Sequence, residues 1–290
     1  MRRPCAWKVS PLPAGDPDID RADSDRAEVD HADVRDRLAA AVREGGALAL
    51  QTFRGQIKSW IKDKTSPVSE ADLAVDALLR ERLTAIRDVG WLSEETEDDP
   101  ARLTETEVWV VDPIDGTRAY LAGLADWAVS VALVHAGRPA VAALYAPVTD
   151  ELFLSIAGHG ATLNGAPIQT SPGEQLAGAK FSGAKRRLES LAAFEPRIET
   201  TPRIPSLALR LARVATGAID GTFAAPNSHD WDLAAADLLV HEAGGVLTTL
   251  TGQSLIYNRP NPVHGALVAA GRPRHAILLG LIRDRFAEFA

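Results

Sequence analysis

Two aspartates three positions apart, Asp112 and Asp115, follow the apolar pair Val110-Val111 and precede Gly116 and Thr117. Their carboxylates, the backbone carbonyl of Ile114 between them and a glycine that permits close approach form an oxygen-rich cage suited to a hard divalent cation. A helix beginning at Thr117 would point its free amides and positive dipole end at the same spot, which suits a phosphate held against magnesium. Alone, the segment reads equally well as a turn followed by a helix cap, because aspartate is common in both. Further acids shift that balance: Asp72, Glu94, Glu95 and Asp232 fall at the ends of strands or the starts of helices.

Those ends follow from hydrophobic spacing. Val34, Leu38, Ala41, Val42, Ala49 and Leu50 recur at helical intervals, so the ordered chain is expected to open with a long amphipathic helix. Ser69 before Glu70-Ala71-Asp72 marks a second helix, with Asp72 in its first turn. Gly90 to Ser93 and Val108 to Val111 read as strands that end at Glu94 and Asp112. Trp127 to His135 and Ala140 to Ala146, separated by Gly137-Arg138-Pro139, read as an antiparallel pair. Glu151 to Ile156 adds a strand, and Asn164-Gly165 is a tight-turn signal between two more short runs. Beyond Ser171 the pattern changes to short apolar runs alternating with helices at Ser206 to Thr216, Trp231 to Ala243 and Pro273 to Phe289. The expected organisation is a disordered leader over 1–30, an α+β part over 31–177 that carries most of the acids, and an α/β part over 178–290 that carries Asp232.

The 290 residues, 46% hydrophobic and 24% charged, suffice for a sizeable core. A net charge of −8 argues against a general binder of nucleic acid polymers. The lone cysteine, Cys5, forms no internal disulfide, and the absence of a Cys/His cluster leaves oxygen as the metal donor. With no apolar run of membrane-spanning length and no signal-peptide core, a cytoplasmic setting without membrane partners is expected.

Four segments stand in fixed order: Ser66-Pro67-Val68-Ser69-Glu70-Ala71-Asp72, Leu92-Ser93-Glu94-Glu95, Trp109 through Thr117, and Asp230-Trp231-Asp232 continuing to Glu242-Ala243-Gly244-Gly245. In these, from about Asp33 to the C-terminus, the chain resembles the inositol monophosphatase superfamily of magnesium-dependent, lithium-sensitive phosphomonoesterases. The resemblance implies an α/β fold, a layered αβαβα sandwich of the inositol monophosphatase and fructose-1,6-bisphosphatase type. It implies two or three Mg2+ ions. Glu94, Asp112 and the Ile114 carbonyl would hold one, Asp112, Asp115 and Asp232 a second, and Asp72 with Glu94 would support a third. Thr117 and Glu94 would orient the attacking water, and the amides of Gly116 and Thr117 would grip the phosphate.

Within that superfamily the Ser-Pro-Val-Ser-Glu-Ala-Asp segment and the Asp126 to Ser130 strand look most like the bacterial 3'(2'),5'-bisphosphate nucleotidase branch. That branch converts 3'-phosphoadenosine 5'-phosphate to AMP and phosphate. Inositol-specific members carry a glutamate seven residues before the late metal aspartate, where this chain has Ala225. Nucleotidases usually place an aspartate two residues before Ser-Pro-Val to pair with the motif threonine; here that position is Lys64, and Asp63 stands in as a catalytic candidate. Ser182, Lys185 and Ser206 are the expected substrate contacts, with Lys180, Arg186 and Arg187 completing a basic cluster able to hold a second phosphate, or equally to be a solvated charge run. Pro205 replaces the usual glycine before Ser206. The competing expectations are an inositol-1-monophosphatase, a sugar or histidinol phosphate phosphatase, and a metabolite-binding protein without turnover. Monomers and dimers both occur among the relatives, so a homodimer stands among the expected partners beside the small phosphorylated metabolite. Trp60, Trp91, Trp109 and Trp127 are expected in the core, and His229 and His241 carry no assigned role.

Overall fold

The computed structural model describes residues 17–62, 66–285 and 289, with side chains from residue 31 onward and excepting that of residue 66. Helix α1 runs Pro17–Thr52. It therefore begins within the segment read from sequence as disordered; after Pro17, which suits a first helical position, residues 18–30 contain no further proline or glycine, and Asp18 and Asp20 place negative charge at the helix start. A hairpin of β1 (Ser59–Lys62) and β2 (Ser66–Ser69) leads into α2 (Glu70–Ile86). Then follow β3 (Gly90–Ser93), β4 (Glu107–Asp115), the short α3 (Thr117–Leu121), β5 (Ala128–His135), β6 (Arg138–Ala146), β7 (Glu151–Ile156), β8 (Ala161–Leu163) and β9 (Ala166–Pro167). These strands form one seven-stranded sheet in chain order from β3 to β9, antiparallel except for the parallel β3–β4 pair.

The chain then enters a second sheet through β10 (Lys180–Gly183), α4 (Lys185–Phe194), β11 (Glu199–Thr200), α5 (Leu207–Ala215), β12 (Gly221–Ala224), β13 (Ser228–His229), α6 (Asp230–Glu242), β14 (Gly245–Thr249), β15 (Val263–His264), β16 (Leu267–Gly271) and α7 (Arg272–Asp284). Its strand order is β11-β10-β12-β16-β14, with β13 and β15 paired separately.

Alternation along the strands explains the stacking. Trp109, Val111, Val129, Val131 and Leu133 pack against α1 and α2, whose buried residues Ala71, Val75, Leu79 and Leu83 recur every four positions. Each fully buried valine or leucine contributes about 1.5–3 kcal/mol. Gly46 lets α1 come close, since a Cβ there would lie 2.7 Å from the Tyr145 ring and from Pro147. The alternate residues Val108, Val110, Ala132 and Val134 face α5 and α6. Helix α6 is apolar around most of its circumference, with Leu233, Ala234, Ala235, Ala236, Leu239 and Val240 all buried, because it lies between two sheets. Leu247, Leu267 and Ala269 close that layer from the second sheet. Phe181, Phe223, Val268 and Ala270 on the far side meet Leu188 and Leu191 of α4 and Leu278, Leu281 and Ile282 of α7. The result is the expected αβαβα sandwich, with the α5/α6 core continuous between both halves. Among the described residues no helix is long and apolar enough to cross a membrane.

Candidate active site

Residues three apart on a regular strand point to opposite faces, yet Asp112 and Asp115 point the same way. The register explains it: Asp112 pairs with Ser130 and Asp115 with Ala128, so β4 takes three steps where β5 takes two. This bulge rotates the chain. Ile114 falls on the α1/α2 side with Trp109 and Val111, while Asp115 turns to α5. Gly116 then turns with φ +102°, and a Cβ there would lie 2.8 Å from the Asp126 carbonyl oxygen.

Helix α6 supplies the third acid. Asp232 Oδ2 accepts the His229 amide at 2.6 Å at its N-terminus, and one oxygen from each of Asp112, Asp115 and Asp232 lies within 4.8 Å of the others. Asp115 receives the Ser206 hydroxyl at 2.5 Å, the Ala208 amide at 2.6 Å and the Leu207 amide at 3.3 Å, all from the start of α5. Asp112 Oδ1 accepts the Ile114 amide at 3.0 Å, but its Oδ2 is buried without a hydrogen-bond partner. Burial, compounded by the neighbouring carboxylates, pushes Asp112 and Asp232 well above the usual carboxylate range; burial raises Asp115 against the opposing bonds from α5. Converging oxygens, one of them an orphan, in a cluster that resists its own charge make a donor set able to hold a hard divalent cation.

Glu94 lines the same cleft beyond the end of β3. The Lys62 ammonium donates to its backbone carbonyl at 2.6 Å and lies 3.6 Å from Oε1, while meeting Glu95 Oε1 at 2.8 Å. Burial outweighs that cation and lifts Glu94 to about 7. Asp72 sits behind the cleft wall: Oδ2 accepts the Ser69 amide at 2.8 Å and hydroxyl at 2.5 Å, and Oδ1 accepts the Thr117 hydroxyl at 3.0 Å. The Ile114 carbonyl is also within 3.1 Å of that hydroxyl. Asp72 thus accepts the Thr117 hydroxyl; Asp63, the candidate partner of that threonine, lies outside the described residues.

The cleft, about 300 Å³, is lined by Glu94, Asp112, Asp115, Gly116, Thr117 and Asp232 together with Pro67, Pro205, Arg118 and Arg203. Three expected substrate contacts are placed elsewhere. Ser182 is buried in β10 and donates to the Pro202 carbonyl at 3.1 Å. Lys185 is exposed and reaches Glu189 on its own helix at 3.6 Å. Its neighbour Arg187 is buried and donates to the Phe289 carbonyl. Ser206 lies under the cleft and grips Asp115. The cations that do line the opening are Arg118, in the short α3, and Arg203, in the irregular segment before α5. Arg210, buried behind Asp115 and Asp232, donates to the Thr222 hydroxyl at 3.1 Å and the Ile204 carbonyl at 2.8 Å. Burial and the nearby Arg203 lower it to about 10.

Trp109 and Trp127 are core residues as expected, but Trp60 is 44% exposed on the β1 hairpin, and Trp91 is half-buried with the Arg80 guanidinium 5.5 Å over its ring. His229 stacks on Trp231 at 4.5 Å beside Asp232, and His241 pairs with Asp237 at 2.8 Å.

Residues 30–284 match the model of the inositol monophosphatase family. Inositol-1-monophosphatase of Rhizobium meliloti (strain 1021) is 33% identical over 229 residues, covering 74% of this chain and 85% of that protein. Nus factor SuhB of Salmonella typhimurium (strain LT2) is 29% identical over 260 residues, covering 86% and 95%. The crystal structure of extragenic suppressor protein suhB from Bartonella henselae superposes with a TM-score of 0.75 at 27% identity, covering 85% of this chain and 97% of that one.

Proposed function

Because the chain belongs to the inositol monophosphatase family, we propose that it hydrolyses a small phosphomonoester with magnesium ions held in the carboxylate cluster. The observation that carries this reading is the convergence of Asp112, Asp115 and Asp232 within 4.8 Å, with a buried Asp112 oxygen that has no protein partner. Those three, with Glu94 and the Ile114 carbonyl, would hold two ions; a third is left without a committed ligand set, since Asp72 is engaged with Ser69 and Thr117. Magnesium, when bound, supplies positive charge and Lewis acidity to a phosphate ester and to water.

The chain's own groups do the rest. The Thr117 hydroxyl donates its hydrogen bond to Asp72, so its oxygen is left to accept one from water entering the cleft. Glu94, on the same cleft wall, takes a proton from that water. The turn at Gly116 brings backbone close enough for its amide and that of Thr117 to hold a phosphate oxygen. No side-chain nucleophile is required.

For the leaving alcohol, our reading is 3'-phosphoadenosine 5'-phosphate. Arg118 and Arg203 on the cleft lining favour a substrate with a second anionic group, and the Ala225 position lacks the glutamate of inositol-specific relatives. The second reading is inositol 1-phosphate, favoured by the name of the 33% identical relative. Phosphate release with magnesium from 3'-phosphoadenosine 5'-phosphate, inositol 1-phosphate, histidinol phosphate and fructose 1,6-bisphosphate, compared side by side, decides between them. A preference for the first that shrinks at least tenfold in Arg118→Ala/Arg203→Ala supports our reading; a preference for inositol 1-phosphate replaces it, and release from none of the four rejects the phosphatase assignment.

A further inference from the structure

Helix α2 carries two buried acids one turn apart, Asp72 and Asp76, and only the first belongs to the family segments quoted above. Asp76 is 7% exposed and lines no part of the cleft. Its Oδ1 accepts the Ser93 hydroxyl in a short hydrogen bond, and its Oδ2 accepts the Thr96 hydroxyl at 2.6 Å. Ser93 and Thr96 bracket Glu94 and Glu95. The Ser93 oxygen in turn accepts the Glu95 amide at 3.3 Å, so one carboxylate fastens the whole turn that follows β3.

That turn has two other anchors. The Glu94 amide donates to the Val111 carbonyl at 3.2 Å, the last step of the β3–β4 ladder, and Lys62 donates to the Glu94 carbonyl at 2.6 Å. Lys62 also pairs with Glu95 Oε1 at 2.8 Å, but neither anchor reaches Thr96. A buried carboxylate is costly unless both oxygens are bonded, and here each takes one hydroxyl from opposite ends of a single turn. Residues four apart share a helix face, so α2 grips two separate segments of the cleft wall at once: Asp72 holds Thr117 after β4, and Asp76 holds the segment presenting Glu94 after β3.

We propose that Asp76 is a positioning residue that sets where Glu94 stands relative to Asp112, and thereby sets the affinity for the divalent cation those two share. This rests on the cation-dependent reading of the site. The test is calorimetric titration of the full chain with Mn2+ as the probe, alongside thermal melting and phosphate release at saturating Mn2+. Asp76→Asn is expected to weaken Mn2+ binding about tenfold while retaining most of the turnover at saturating Mn2+. Ser93→Ala/Thr96→Val should reproduce the loss by removing the donors instead, and combining it with Asp76→Ala should add little further, since both routes delete the same two hydrogen bonds. Asp150→Asn, on an exposed loop, serves as control.

Lower melting temperature with unchanged Mn2+ affinity in Asp76→Asn would overturn the proposal and leave Asp76 a tie between helix and sheet. Should Asp76→Ala fail to fold, Thr96→Val alone carries the decision, because it leaves Asp76 bonded to Ser93 and must still weaken Mn2+ binding. A wild-type chain that binds no Mn2+ would sink the cation reading itself, whereas normal wild-type binding with unchanged variants sinks only the role of Asp76.

Discussion

The Ser206 hydroxyl donates to Asp115 Oδ2 across 2.5 Å, joining residues 91 apart in the chain. The Ser206 oxygen in turn accepts the Leu209 amide at 3.0 Å and so caps helix α5. Ser206→Ala removes both bonds. Its expected cost is about 1–3 kcal/mol of folding stability, measured by urea denaturation, together with weaker magnesium dependence of activity. A variant as stable as the parent would mean that the Leu207 and Ala208 amides suffice to hold Asp115.

Asp112→Asn should separate folding from turnover. The carboxylate is buried, crowded by other acids and short of a partner for Oδ2, so a neutral amide of the same shape relieves repulsion in the cation-free chain. Thermal melting in chelator is expected to be unchanged or higher, while phosphate release falls at least about a thousandfold through loss of transition-state charge stabilisation. Activity near that of the parent would remove Asp112 from the centre.

Gly116→Ala places a side chain where φ is +102° and where its Cβ would meet the Asp126 carbonyl at 2.8 Å. Strain of about 1–3 kcal/mol is expected, and relief of it must displace Asp115 or Thr117 on either side. Activity should therefore fall by more than stability alone explains, which parallel melting and rate measurements would show.

The Glu94 carboxyl stands at about 7 in the folded chain against an ordinary 4.5. A raised acid holds its proton more tightly folded than unfolded, so its stabilisation is complete below pH 4.5 and is lost as pH rises toward 7. In chelator, stability should decline over that interval by up to about 3 kcal/mol, Glu94→Gln should flatten the decline, and magnesium should reverse it by binding the ionised cluster. Melting temperatures at pH 5, 6 and 7.5 with and without magnesium provide the check; a flat profile in chelator rejects the account.

What a linear reading recovered was what local spacing controls. Ser69 before α2, the strand ending at Asp112, the Asn164-Gly165 turn and the start of α6 at Asp230 all appear near their expected places, and with them the acids that meet in the cleft. Most of the differences depend on how distant segments pair. Lys185 follows Ser182 by three positions, yet α4 turns it to solvent, while Arg203, from an irregular segment, reaches the opening. Ser206 looked like a substrate contact because its partner Asp115 lies in the other half of the chain. Asp76 carried no signal, since its donors Ser93 and Thr96 are unremarkable hydroxyls until α2 is laid beside β3. The helix that starts at Pro17 was hidden by a composition poor in anything to bury.

The register slip between Asp112 and Asp115 makes the centre depend on counting. A strand alternates like odd and even numbers, and two acids three apart have opposite parity; the surplus residue in β4 cancels the mismatch. Were every residue from Asp112 to Asp115 paired one to one with β5, all the ligands would remain in the sequence, but the downstream acid would arrive on the oily side with Trp109 and Val111, beneath α1 and α2. A ladder that ran true through this segment would erase the site without changing a single side chain.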